Sequence, residues 1–85
     1  MAKVIVTFKI MPASGEVNAD DLEKAVKETL QPERISREPM AFGLVAIIAT
    51  KLVEEVSGEM DRIEQLIKSI DGVGEVEVTE VNRSM

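Results

Sequence analysis

The chain has no cysteine, histidine, tryptophan or tyrosine, and only two phenylalanines, among its 85 residues. Without cysteine there are no disulfides, thiolate metal sites or thiol nucleophiles, and cysteine usage says nothing about redox compartment. Without histidine the common zinc sites, a Ser-His-Asp triad and an imidazole base working near neutral pH are excluded. The aromatic stacking platform of an RNA-binding sheet is also missing. Sixteen acidic side chains oppose ten basic ones, for a net charge of −6. A phosphate backbone needs a positive field, so a nucleic-acid partner is not expected. No charged-then-apolar leader opens the sequence, and no apolar stretch approaches the ~18 residues of a membrane span. The expectation is a cytoplasmic protein that needs no cofactor and no metal.

What is present is periodicity. "KVIVTFKIM" alternates, with Val4, Val6, Phe8 and Ile10 on one face of a half-buried strand, and "PASGE" ends it with turn residues. "NADDLEKAVKETLQPE" reads as a helix. Asn18 caps it, Asp20 and Asp21 complement its positive end, and Leu22, Val26, Thr29 and Leu30 form its apolar face. Pro32 stops it. "ERISREP" is a polar strand suited to a sheet edge, whereas "LVAIIATKLVEE" is nearly continuous in apolar residues, as a central strand is. A second helix is expected from a Ser57 cap, acidic Glu59 and Asp61, and a stripe of Met60, Ile63, Leu66, Ile67 and Ile70, with Gly72 at its C′ position. "GEVEVTEV" alternates again until Val81 breaks the phase, which predicts a bulge or the end of pairing near Glu80.

Strand, helix, strand, strand, helix, strand is the pattern of two split βαβ units. The predicted fold is α+β: one ferredoxin-like βαββαβ domain over residues 1–85, a four-stranded antiparallel sheet with two helices on one face and strands one and three in the centre.

Catalytic constellations are absent from this frame. "GVGEVE" has Glu77 where a dinucleotide fingerprint needs its third glycine, and a helix precedes it. Asp20/Asp21 and Glu54/Glu55 lack the spaced oxygen ligands of a calcium loop. The loop after the first strand, "MPASGEV", holds no cation, which argues against an acylphosphatase-like phosphate site. Two features stay unexplained by folding. One is the apolar turn Pro39, Met40, Ala41, Phe42 and Gly43, whose phenylalanine is either a cap on the core or a binding wedge. The other is the tail Asn82, Arg83, Ser84 and Met85. Both are expected at the same end of the sheet, converging on one surface. The alternative to a partner-binding protein is a ferredoxin-like ligand-sensing or oligomerisation module, although the charges of the second strand make it a poor pairing edge.

The segments "VTFKIMP", "DDLEKAVKE", "EPMAFGLVAI" and "IDGVGEVEVTEV", followed by a tail carrying Arg83, resemble the archaeal translation elongation factor 1-beta family over essentially the whole chain. "AFGLVA" is the most specific of these pieces. The resemblance implies a ferredoxin-like protein, monomeric when free, that exchanges guanine nucleotides on the GTPase elongation factor 1-alpha without covalent chemistry. It implies that Phe42 wedges into the GTPase and that the C-terminal residues approach its magnesium and phosphate region. The eukaryotic pattern has lysine at the penultimate position; here that position is Ser84 and the nearest cation is Arg83.

Overall fold

A computed structural model describes residues 3–54 and 58–83. The order is β1 (Lys3–Pro12), α1 (Ala19–Leu30), β2 (Arg34–Pro39), β3 (Val45–Glu54), α2 (Glu59–Lys68) and β4 (Val73–Arg83). The strands form one antiparallel sheet in the order β2-β3-β1-β4. This is the ferredoxin-like arrangement, and it follows from the hydrophobic pattern. The two strands richest in β-branched residues are paired on both sides, and the two most charged strands take the edges.

The core lies between the sheet and the helices. Val4, Val6, Phe8 and Ile10 of β1 meet Ile47, Ala49 and Val53 of β3, under Leu22, Val26 and Leu30 of α1 and Ile63 and Ile67 of α2. Phe8 is fully buried there. Among the described residues, no helix covers the opposite face of the sheet. Its centre is the half-buried Ile5, Ile48 and Leu52, with the Thr7 and Thr50 hydroxyls 3.4 Å apart, and Glu75, Glu77 and Glu80 lie along its β4 margin.

Asn18 caps α1 by accepting a 3.1 Å hydrogen bond from the Asp21 N–H. The helix ends at Leu30, and Gln31 takes a left-handed conformation (φ 51°) that lets its N–H reach the Lys27 carbonyl at 3.0 Å. Thr29 is exposed, so the buried stripe is narrower than its spacing predicts. On α2, Leu66 is at the margin of the stripe and partly exposed. The Ser57 cap falls outside the described residues; the position before the helix is Gly58, with φ 84°. The expected C′ role of Gly72 is corrected. Ser69 closes the helix earlier, its hydroxyl donating to the Leu66 carbonyl at 2.6 Å. Gly72, with φ 95°, instead turns the chain in a bend closed by the Val73 N–H on the Ile70 carbonyl. Ile70 remains buried beyond the helix end.

Pairing of β4 with β1 slips twice. Thr7 faces Glu80 while Phe8 faces Val78, which leaves Thr79 as the extra residue of a bulge; pairing then continues to Arg83. The phase break at Val81 is thereby explained: the bulge returns Val81 to the helix side, opposite Val6. The second slip omits Gly74, between Pro12↔Val73 and Met11↔Glu75. There a Cβ would lie 2.8 Å from the Ala13 Cα and 2.9 Å from the Pro12 carbonyl oxygen. Both are backbone atoms that cannot swing aside. Gly74→Ala is therefore expected to cost about 1–3 kcal/mol, the usual range for overpacking. Urea unfolding checks this, and an unchanged midpoint would show that the two strands separate freely at this point.

Candidate functional site

The turn between β2 and β3 is short and tightly closed. Pro39 pairs with Val45, the Met40 N–H donates to the Leu44 carbonyl at 2.7 Å, and the Leu44 N–H reaches the Ala41 carbonyl at 3.3 Å. A single helical turn, Ala41–Gly43, forms the tip. To close it, Phe42 and Gly43 both take positive φ, 62° and 76°. The left-handed region costs glycine nothing, but costs an L-residue with a side chain about 1–2 kcal/mol.

The Phe42 side chain is 99 % exposed. It is not a cap on the core. Burying such a ring would contribute about 1.5–3 kcal/mol, and that stabilisation is not realised here. Two unfavourable choices thus coincide at one residue. Such coincidences cluster at ligand clamps and contact sites, because the surrounding structure must hold them in place.

The surroundings do so. On the helix side, the Arg37 guanidinium hydrogen-bonds Glu23 at 2.7 Å and also Asp20, both on α1. On the open side, Lys9 of β1 reaches Glu38 at 2.8 Å. The two residues preceding Pro39 are therefore pinned on opposite faces of the sheet. These pairs are exposed, and such pairs contribute little to global stability, about 0–1 kcal/mol each. Their effect is to fix the direction in which the hairpin points. The hydrogen bond from Glu38, followed by its charge, raises the Lys9 pKa. Hydrogen bonds to Glu23 and then Asp20 push Arg37 higher still. Both cations therefore stay charged at neutral pH.

Sequence reasoning missed this clamp. In the sequence Asp20 reads as a helix-terminus charge, and Arg37 as one of the charges of an edge strand. The available signal was phase: Arg37 shares the side of β2 that carries Ile35, which is the side α1 covers.

The tail is elsewhere, and the expected convergence is corrected. Arg83 lies opposite Val4, and Val4 opposite Val53, near the end of β3, whereas the hairpin leads into its beginning. The reason is directional. Strands β3 and β4 are both antiparallel to β1, so they are parallel to each other, and the start of one cannot adjoin the end of the other. At about 3.3 Å per residue, the rise from Val45 to Val53 separates the sites by roughly 26 Å. Asn82 sits opposite Ile5 and donates to the Glu80 carboxylate at 2.5 Å; Ser84 and Met85 lie outside the described residues. Beside the hairpin stands a different segment, the β1–α1 loop, which shares a hollow with Gly43 and Leu44. Among the described residues, no group of three or more acidic side chains is arranged to hold a metal, and no helix is long and apolar enough to cross a membrane.

Replacing Phe42 by glycine removes both the backbone cost and the exposed ring, while adding freedom to the unfolded chain. The expected result is unchanged stability or a gain of up to about 1 kcal/mol. A loss of more than that on urea unfolding would mean that the ring contributes to folding.

Comparison with known proteins bears on what this geometry serves. Residues 5–83 match the family model described as the EF-1 guanine nucleotide exchange domain. The chain is 39% identical to the elongation factor 1-beta of Natronomonas pharaonis, covering 98% of this chain and 99% of the relative. The protein of the same name from Methanothermobacter thermautotrophicus is 38% identical, over 100% of both chains. That from Methanocaldococcus jannaschii is 40% identical, over 96% of this chain and 98% of its own.

Proposed function

The chain belongs to the EF-1 guanine nucleotide exchange domain family, and from that premise we propose how its geometry serves exchange. It promotes release of GDP from, and reloading of GTP onto, elongation factor 1-alpha during translation elongation. The observation that carries the site assignment is Phe42, fully exposed on a strained and clamped turn. Phe42 enters an apolar pocket of the GTPase, with Pro39, Met40, Ala41 and Gly43 as the surrounding contact surface. Asn82 and Arg83, with Ser84 and Met85 beyond them, make a second contact from the other end of the sheet.

Exchange by this route requires differential affinity. A factor that bound the nucleotide-loaded and nucleotide-free GTPase equally would shift nothing. Two contacts held roughly 26 Å apart by a rigid sheet supply the difference, because only a GTPase conformation presenting both acceptor sites at that spacing is bound by both. The four-stranded sheet acts as a ruler. Opening of the nucleotide site is favoured by the binding energy of the second contact, and no nucleophile or base takes part. The factor acts as a monomer in the cytoplasm and uses no nucleic-acid or membrane contact. Support for the monomer comes from the edges: β2 carries Arg34, Arg37 and Glu38, and β4 carries Glu75, Glu77 and Glu80, so either strand would bring charge against a second sheet.

The test is release of fluorescent GDP from elongation factor 1-alpha. Wild-type protein accelerates it. Phe42→Ala forfeits burial of the ring, about 2–3 kcal/mol, and so lowers kcat/KM for exchange by roughly 30- to 150-fold. Its thermal midpoint stays within the range of a neutral surface change. Exchange at the wild-type rate by Phe42→Ala would remove the wedge from the mechanism.

A further inference from the structure

Gly15 is a glycine that the fold does not require. It stands in the turn Ser14–Val17, closed by the Val17 N–H on the Ser14 carbonyl at 3.3 Å. Neither Gly15 nor Glu16 has positive φ, so no left-handed backbone calls for glycine here. Nor does a close approach demand glycine. A Cβ at Gly15 would meet only the Leu44 Cδ2, at an ordinary 3.8 Å, in contrast to the backbone clash at Gly74. What the missing side chain leaves open is a hollow of about 200 Å³. The side chains of Pro12, Val17, Leu22, Leu44 and Val45 form its apolar part, while the Ser14 hydroxyl and exposed backbone make nearly half of the lining polar.

The hollow and the Phe42 turn form one continuous surface. Gly43 and Leu44 line the first and close the second. Its size also restricts the occupant. Pockets for drug-sized molecules run to roughly 300–1,000 Å³, so the hollow is too small for such a ligand, whereas a single side chain fits.

Building on the assignment of Phe42 as a partner contact, we propose that this hollow accepts one apolar side chain of the GTPase, adjacent to the GTPase pocket that Phe42 enters. The contact is then reciprocal, with each protein placing an anchor in a cavity of the other; energetic anchors at interfaces tend to pair in this way. The pairing has a geometric consequence. A lone wedge leaves the two proteins free to rotate about it, whereas a wedge beside a socket fixes their relative orientation. The fixed orientation carries the far end of the sheet to its own contact.

The experiment fills the hollow. Gly15→Leu, free of backbone strain, projects over Leu44 into the space. We expect the concentration giving half-maximal release of fluorescent GDP from elongation factor 1-alpha to rise at least tenfold. The thermal midpoint should stay unchanged or rise, because the added side chain gains contacts. Impairment without loss of stability is what a merely structural role would not produce. Should Gly15→Leu lower the midpoint, Ala19→Leu decides by the same criterion, since Ala19 lines the hollow from the first residue of α1, where leucine is a good helix former. Wild-type exchange by the filled variant, alongside a crippled Phe42→Ala, overturns the socket and leaves the wedge standing. Wild-type exchange by Phe42→Ala overturns the wedge and the socket with it.

Discussion

Everything in this molecule is oriented by β1, which is hydrogen-bonded along both sides, to β3 and to β4. Because both neighbours run antiparallel to it, they run parallel to each other. That relation decides where the chain's two exceptional segments lie. The hairpin tip must be at one end of the sheet and the tail at the other, whatever their side chains are. Alternating Val4, Val6, Phe8 and Ile10 face the helices, and this fixes the register as well as the direction. A slip of one residue would carry all four to the open face.

That rigidity is what allows the hairpin to be unfavourable. A domain of this size has about 4–13 kcal/mol of net stability at ~0.05–0.15 kcal/mol per residue. A phenylalanine in the left-handed region, fully exposed, departs from the folding optimum by an appreciable part of that. The turn persists because its base is determined several times over. Pro39 pairs with Val45, Arg37 is held by α1, and Glu38 is held by β1 across the intervening strand. None of these exposed links is strong alone. Together they leave the backbone few alternatives, and so convert an awkward conformation into a directed one.

The sequence made the architecture legible because the architecture is periodic. Strict alternation in β1, the continuous apolar run of β3 and the i, i+4 spacing of Leu22, Val26 and Leu30 each have one simple solution. The extra residue at Thr79 was also legible, as a phase break at Val81. Less legible were features set by geometry between elements. Whether Phe42 capped the core or faced solvent depended on how far the hairpin extends past α1, which composition does not encode. The convergence of turn and tail is ruled out for a different reason: β3 and β4 run parallel, a relation that emerges only when all three strand pairings are taken together. The clamp at Arg37 showed in the sequence only as phase, because its partners are 14 and 17 positions away, and the unneeded glycine at Gly15 left no signal, because it is defined by empty space.

The same geometry explains why a regulatory protein can be built without histidine or cysteine. No side-chain type in this chain ordinarily titrates between roughly pH 5 and 8. The resolved shifts move further from that window. Lys9 and Arg37 go up beside their carboxylates, and Glu59 goes down, chiefly through its hydrogen bond from Arg62. The two cations that hold the hairpin in place, Lys9 and Arg37, therefore stay charged across the neutral range, and the separation of hairpin and tail is set by backbone pairing. The proposed exchange mechanism needs a fixed separation more than it needs reactivity. Proton-sensitive cations in the clamp would instead have let the direction of the hairpin drift with pH.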